Sequence, residues 1–368
     1  MANEKKTVRE PSFILALVPI VAMIGFMLYC FRGHSETGYH DAHLPLVMSI
    51  IVACIVGFIC GHSFQEMLAG MVERLAASME AVLILATVGF LVTSFMLSGA
   101  IPTMIVYGLD LLTPKLFLPV GCILCAIVGM ACGSSWTTTA TIGLAFLGIG
   151  AGLGIPAPIT AGMIISGAYV GDKFSPLSDT TNLAAAVAET GLFDHVTAMV
   201  STTGPTLLLS LILYTILGLN VDTSAYDATV AEGIQEAFRS AFTISPILLL
   251  PIIVVIVMCI LRVPGLVGIA VSVATAVVFM LIFQSTDIFY SYSLGDIFDV
   301  LHYGHAVETG NAVADSILGK AKGMDGMMWT INLILVALAY GGALERCGCI
   351  EKLFGGLKHK IHSVGSLI

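Results

Sequence analysis

Charged residues are scarce in this sequence: only 11% of its 368 residues are charged, whereas 57% are hydrophobic. Soluble globular domains carry about a quarter charged residues. A soluble fold of this length could not bury so much apolar surface, which excludes that class. The sparse charges also form no basic stripe interleaved with aromatic residues, so nucleic acid is excluded as a partner.

Several sequence patterns that mark catalytic and pore sites are also absent. Neither H-E-x-x-H nor G-x-S-x-G occurs, so we do not expect an enzyme. No TVGYG-type filter is present, which disfavours an ion channel. The nine cysteines lie mainly in apolar runs without the partnered spacing of a zinc site. We therefore expect neither a metal centre of this kind nor another cofactor.

Long apolar runs are abundant, and about twenty apolar residues suffice to cross a bilayer core. They predict an all-α polytopic membrane protein in which the first run is retained, since it is too long for a signal peptide. In residues 62–79, apolar and charged positions alternate at helical spacing, which predicts an interfacial helix. Residues 220–243 and 284–326 are predicted to be long, mostly acidic loops. The predicted spans are 11–31, 44–61, 80–99, 115–132, 137–154, 156–170, 195–219, 244–261, 264–283 and 327–344.

An internal repeat relates two distant segments. Residues 95–109, FMLSGAIPTMIVYGL, align with residues 338–352, LAYGGALERCGCIEK. The distribution of lysine and arginine predicts that the first copy runs outward and the second inward. Inverted repeats of this kind are typical of secondary transporters. Chance similarity between two membrane helices is the alternative.

The repeat suggests a division of the chain into four parts. We expect N-terminal spans and the interfacial helix in 1–79, and a first transport repeat with broken helices or re-entrant hairpins in 80–190. Connecting spans and outer loops would occupy 191–326. The start of the second, inverted repeat would occupy 327–368. The polar segment that follows the first copy has no counterpart after the second, so we expect the second repeat to be incomplete at the C-terminus.

A first polar cluster, CGSSWTTTATIG, interrupts the apolar sequence after residue 131. A helix broken at bilayer depth frees backbone groups that hydrocarbon cannot satisfy, so such a break faces protein or water. The cluster predicts a break at Gly133 next to a set of hydroxyls. Alternatively, these hydroxyls bond back to their own helix and pack helix interfaces. The hydroxyl residues concerned are Ser134, Ser135, Thr137, Thr138 and Thr139.

A second polar cluster, GDKFSPLSDTTNLAA, begins at Gly171. Pro176 suits the first position of a helix, which predicts a helix ending near Gly171, an extended break over 172–175 and a new helix from Pro176. Asp172 would then end one half-helix, and Asp179 would lie in the first turn of the next. Further side-chain oxygens follow on that turn: Thr180, Thr181 and Asn182.

Carboxylates combined with hydroxyl, amide and freed carbonyl oxygens form a hard-oxygen shell that suits Na⁺. We predict a Na⁺ site at Asp172 and Asp179. A carboxylate at bilayer depth can hold either H⁺ or Na⁺, and that competition is the minimal chemistry of an antiporter. Lys173 would balance the acids or attract an anionic substrate. Asp172 and Lys173 could equally belong to an ordinary membrane-edge loop.

The two polar clusters resemble those of the NhaC family of Na⁺/H⁺ antiporters, within the ion transporter superfamily. The resemblance implies inverted repeats, Na⁺-coupled exchange of H⁺ and a location in the cytoplasmic membrane of the cell. It also implies that the two aspartates and the oxygens that follow them line the site opposite Ser134, Ser135 and Thr137. Relatives also couple these ions to small organic acids or amino acids, and this alternative stays open. The partners expected are Na⁺, protons and the lipid bilayer, with a homodimer left open.

Overall fold

The computed structural model describes residues 8–32, 41–175, 178, 180–181, 184–185, 190–220, 228–261, 263–284 and 294–358. Among these residues the regular secondary structure is entirely helical, which confirms the predicted all-α class. By length and composition, four of the described helices could cross a membrane, or up to six spans result if each of two bent helix pairs counts as one. The four are Phe13–Phe31, Leu192–Leu219, Gly265–Phe283 and Asp325–Arg346.

The described helices, in chain order, are α1 (Phe13–Phe31), α2 (His43–Ile59), α3 (Phe64–Ala77), α4 (Met79–Leu97), α5 (Ala100–Leu111), α6 (Pro114–Cys132), α7 (Ser135–Thr138), α8 (Leu144–Gly152), α9 (Ala157–Phe174), α10 (Leu192–Leu219), α11 (Ala228–Ala241), α12 (Leu250–Ile260), α13 (Gly265–Phe283), α14 (Leu294–Tyr303), α15 (Ala312–Leu318), α16 (Asp325–Arg346) and α17 (Cys349–Lys358). A π-helical turn, Thr139–Gly143, links α7 to α8, and a 3-10 turn, Pro246–Leu249, precedes α12. Contacts divide the chain into two compact units. One comprises Met1–Leu83 and Met328–Ile368, and the other is Ile84–Met327.

In the first unit, α1 packs against α2 and α17. The predicted interfacial segment forms α3, which begins with a capping box between Ser63 and Glu66. Two hydrogen bonds join the start of α2 to α16: His43 Nε2 lies 3.1 Å from the Trp329 carbonyl, and Trp329 Nε1 donates to Asp41 at 3.0 Å. His43 Nδ1 also lies 2.6 Å from Asp41 Oδ1.

In the second unit, α6 and α9 lie side by side with their backbones in close contact. A Cβ atom at Gly167 would collide with the Cys122 carbonyl oxygen, and one at Gly171 would collide with that of Ala126. Only glycine permits so close an approach, which is a common device at helix interfaces in membranes. The contact moves from Cys122 to Ala126 along α6 as it moves from Gly167 to Gly171 along α9, so the two helices run parallel.

The two predicted acidic loops contain helices within their described parts. Helix α11 lies in the first, and α14 and α15 lie in the second. Gln235 anchors α11 to α5 by donating to the Val106 carbonyl at 3.0 Å and to Asp110 at 2.8 Å. The expectation of loops was wrong here because amphipathic helices lack the continuous apolar run that marks a span. The four-part division of the chain stays a prediction.

Substituting Gly171 by alanine should destabilise the second unit. The added methyl group would meet the Ala126 carbonyl oxygen, and overpacking of this kind costs about 1–3 kcal/mol. Gly162→Ala is a matched control on the same helix, because a Cβ there meets only the Tyr214 hydroxyl at 3.6 Å. Thermal unfolding in detergent should show a lower midpoint for Gly171→Ala alone. Equal midpoints for the two variants would contradict the close packing.

Candidate functional site

The first predicted break is present at the end of α6. Gly133 adopts a left-handed conformation with φ of 64°, and its amide donates to the Gly129 carbonyl at 2.8 Å. Ser134 is then extended and caps α7, where its hydroxyl accepts hydrogen bonds from the Thr137 amide at 3.2 Å and the Thr137 hydroxyl at 3.1 Å. A left-handed glycine followed by a serine cap is a common way to end one helix and start another.

On the C-terminal side of this break, threonine hydroxyls donate hydrogen bonds to backbone carbonyls. Thr138 donates to the Ser134 carbonyl at 2.9 Å, and Thr139 donates to the Ser135 carbonyl at 2.8 Å. Back-bonding by these hydroxyls, the alternative to a broken helix, is therefore confirmed, and it occurs together with the break. The π-helical turn that follows widens the helix, as often happens at functional sites. Each donating hydroxyl keeps oxygen lone pairs that can accept or coordinate.

The second break begins later than the sequence predicted. Helix α9 continues through Gly171 and Asp172 to Phe174, and Ser175 is the first extended residue, with φ of −78° and ψ of 124°. Gly171 was predicted to mark the break, and this was wrong: it is a buried helical residue whose missing side chain admits α6. Asp172 consequently lies on the last turn of α9.

The Asp172 carboxylate is the least satisfied acidic group among the described residues. Its Oδ1 atom is buried and has no hydrogen-bond partner there. A buried carboxylate oxygen without a donor is unfavourable, because it has lost its hydration without replacement. This oxygen is therefore available to bind a proton or a cation.

The residues after the second break fold back onto the end of α9. Thr181 is buried, and its hydroxyl donates to the Lys173 carbonyl at 3.2 Å and more weakly to the Asp172 carbonyl at 3.4 Å. The Ser178 hydroxyl lies 2.9 Å from the Thr180 hydroxyl and accepts from the Thr181 amide at 3.4 Å. Lys173 and Thr180 are exposed. Three of the predicted site residues lie outside the described residues: Pro176, Asp179 and Asn182.

The parallel packing of α6 and α9 brings the two breaks to the same level. Cys122 and Ala126 face Gly167 and Gly171 in turn. The Met130 amide, one helical turn beyond Ala126, also lies against Gly171, so the last residues of α6 before Gly133 are beside the last turn of α9. Helix α7, which carries Ser135 and Thr137, contacts α9 directly. The structure therefore places the first hydroxyl cluster against the helix that bears Asp172.

A further buried polar residue near a helix break, Thr103, was not predicted from the sequence. Its hydroxyl on α5 is buried and has no partner among the described residues. It follows the left-handed Gly99, where the chain passes from α4 to α5. The segment 95–109 was interpreted only as a repeat, although its SGAIPT sequence combines a helix break with hydroxyls.

These features define a class of protein. A polytopic helical protein with adjacent helix breaks and an unsatisfied buried carboxylate has the architecture typical of secondary transporters. In the described part of the chain, no three His, Cys, Asp or Glu residues are arranged to hold a metal ion. Hydroxyl, carbonyl and carboxylate oxygens are the groups that the site offers.

Comparison with known proteins identifies the family. Residues 167–368 match the model of the Na⁺/H⁺ antiporter family. The chain is 34% identical over 89% of its length to the Na⁺/H⁺ antiporter NhaC of Alkalihalophilus pseudofirmus, of which it covers 69%. It is 34% identical over 97% of its length to the arginine/ornithine antiporter ArcD of Halobacterium salinarum, of which it covers 72%. It is 31% identical over 98% of its length to the malate-2H⁺/Na⁺-lactate antiporter of Bacillus subtilis, of which it covers 75%.

The chain belongs to the Na⁺/H⁺ antiporter family, which confirms the resemblance seen in the two polar clusters. It is a multi-pass protein of the cell membrane, and its named relatives are transporters. No solved structure matches the chain at a significant level.

Replacing Thr181 by valine should loosen the segment after the second break. The isosteric change removes the hydrogen bonds to the Lys173 and Asp172 carbonyls, and an unmade buried hydrogen bond costs about 1–3 kcal/mol. Thr181→Ser keeps the hydroxyl and should retain most of the stability. Thr180→Val is the control at an exposed neighbour. Protease sensitivity of the segment after Phe174 should rise only in Thr181→Val, and equal sensitivity in all variants would contradict this anchoring role.

Proposed function

We propose that this antiporter exchanges Na⁺ for H⁺ across the cell membrane and that the two ions compete for Asp172. The observation that carries the proposal is the buried Asp172 Oδ1 atom, which lacks a donor among the described residues. Membership of the Na⁺/H⁺ antiporter family supports the choice of ions.

The exchange follows from the electrostatics of the carboxylate. An uncompensated charge on a buried oxygen is unfavourable, and either a proton or Na⁺ removes it. Protonation neutralises the group and takes away the attraction for Na⁺, so the two ions bind alternately. The proposed additional ligands are the oxygens around the breaks and the residues that follow them: Ser134, Ser135, Thr137, Asp179, Thr180, Thr181 and Asn182.

An inverted repeat would supply the alternating access that exchange requires. Two described segments share the order helix, left-handed glycine, helix: α4 and α5 meet at Gly99 with φ of 79°, and α16 and α17 meet at Gly348 with φ of 72°. This supports a repeat that pairs Ser98-Gly99 with Cys347-Gly348. The register differs from the one that the sequence suggested, because Gly342 lies inside α16. Opposite orientation of the two copies remains part of the proposal.

A coupled organic substrate is the second candidate. Two of the relatives are named as exchangers of malate with lactate and of arginine with ornithine. Lys173, exposed at the end of α9, would then contact a carboxylate of the substrate. For Na⁺/H⁺ exchange alone, Lys173 serves only to balance the acids.

Asp172→Asn should abolish Na⁺-dependent proton movement, because the amide can neither release a proton nor attract Na⁺ by charge. The protein is reconstituted in liposomes containing a pH-sensitive dye, and Na⁺, Li⁺, K⁺, malate, lactate and arginine are added in turn. We expect a loss of at least about a hundredfold in rate, equivalent to about 2.7 kcal/mol in the barrier. Asp179→Asn should have the same effect.

Asp194→Asn is the matched control, since Asp194 is an exposed acid on the first turn of α10. It should exchange at the wild-type rate. Unchanged exchange in Asp172→Asn would overturn the site assignment. Stimulation of proton exchange in the wild-type protein by malate, lactate or arginine would favour the second candidate, a coupled organic substrate.

A further inference from the structure

A pair of cysteines lies at the turn between α16 and α17, in the first unit, whereas the proposed transport site belongs to the second. Cys347 and Cys349 flank Gly348, whose φ of 72° folds the chain so that the two side chains meet. Their sulfur atoms are 3.1 Å apart. A disulfide requires a separation of about 2.05 Å, so a movement of about 1 Å would join them.

The pair is shielded but has a route to solvent. Cys347 is 1% exposed and Cys349 is fully buried. Cys347 nevertheless lines an open cleft of about 660 Å³ within the first unit. Three basic residues, Arg9, Arg346 and Lys352, also line the cleft, together with Glu10, Glu345 and Glu351. A small molecule can enter this space, whereas a bulky reagent is hindered at the sulfurs.

The contact between the sulfurs favours the reactive form of Cys347. The Cys347 and Cys349 sulfurs share a hydrogen bond of 3.1 Å, and this contact lowers the pKa of Cys347 to about 7, against the effect of burial. The same contact raises the pKa of Cys349. The thiolate is the nucleophile in cysteine chemistry, so Cys347 is poised to attack and Cys349 to follow.

We propose that Cys347 and Cys349 are a redox-active dithiol, a modification site that hydroperoxides convert to an intramolecular disulfide. The Cys347 thiolate attacks one peroxide oxygen, the O–O bond breaks, and the departing hydroxide takes up a proton to become water. Cys347 is then a sulfenic acid. The Cys349 sulfur attacks the Cys347 sulfur, the S–O bond breaks, and the hydroxyl leaves as water with the thiol proton. Overall, two thiols and one hydrogen peroxide give one disulfide and two waters.

The fold supplies a matched internal control. Cys122 and Cys125 are also close in sequence and are fully buried, but they lie within α6, against Gly167 of α9. They are absent from the lining of the cleft. If burial and proximity in sequence were sufficient for disulfide formation, both cysteine pairs would form a disulfide on treatment with peroxide.

The experiment uses the full chain, purified in detergent under reducing conditions and freed of reductant. The protein is treated with hydrogen peroxide, denatured, alkylated with N-ethylmaleimide and digested with trypsin. Cleavage after Arg346 and Lys352 releases both cysteines in the peptide CGCIEK. After peroxide this peptide should be two hydrogens lighter and carry no maleimide, and dithiothreitol before alkylation should restore two maleimides. Cys122 and Cys125 should be alkylated throughout.

Single substitutions separate the two roles. Cys349→Ser should trap a sulfenic acid on Cys347 that dimedone labels, whereas Cys347→Ser should give neither label nor disulfide. The wild-type rate should rise as the pH increases through about 7, following ionisation of Cys347, and then level off. His62 also lines the cleft, and His62→Gln should retain this profile because the profile belongs to Cys347.

Two results would overturn the proposal. One is a CGCIEK peptide that remains doubly alkylated under peroxide, and the other is a disulfide from either residue to Cys60, which is buried at the end of α2. Because the decisive readout is made on the wild-type chain, a variant that fails to fold does not affect it.

Discussion

Helices α6 and α9 meet backbone to backbone, and the arrangement of the proposed transport site depends on that contact. Gly167 and Gly171 leave no room for a side chain between the helices. The parallel register that results sets the end of α6 beside the end of α9. Two interruptions that are distant in sequence thereby become neighbours in space.

At each of the two breaks, the interruption of the helix disturbs the regular hydrogen bonding of the backbone. The surrounding threonines satisfy several carbonyls: Thr138 and Thr139 cover those at the start of α7, and Thr181 covers those at the end of α9. The Asp172 carboxylate is not satisfied in this way, because one of its oxygens is buried and has no donor among the described residues. An arrangement in which hydroxyls bond the carbonyls around the breaks while an acid oxygen has no described donor is suited to binding a small cation or a proton.

The sequence predicted the positions of the apolar helices and the break at Gly133 well, because both depend on the local sequence. Of the ten predicted spans, however, only four to six are matched by described helices or bent pairs that are long and apolar enough to cross a membrane. α6 and α13 fall within a residue or so of the predicted 115–132 and 264–283. The role of Gly171 was missed, since a glycine that admits a neighbouring helix and one that ends its own helix look alike in sequence. The sequence aligned Gly99 with Gly342, which lies inside α16, because small residues match easily in sequence. The left-handed conformation that Gly99 shares with Gly348 is visible only in the structure. α11 and α14 were missed because their apolar faces depend on packing partners.

The central claim is that Na⁺ and H⁺ compete for Asp172, and calorimetric titration of the purified protein with Na⁺ tests it most directly. Repeating the titration in buffers of different ionisation enthalpy gives the number of protons released for each Na⁺ bound. The account predicts proton release at acidic pH that declines to zero at alkaline pH, and none of this release in Asp172→Asn. Na⁺ binding without proton release at every pH, or the same release from Asp172→Asn, would contradict it.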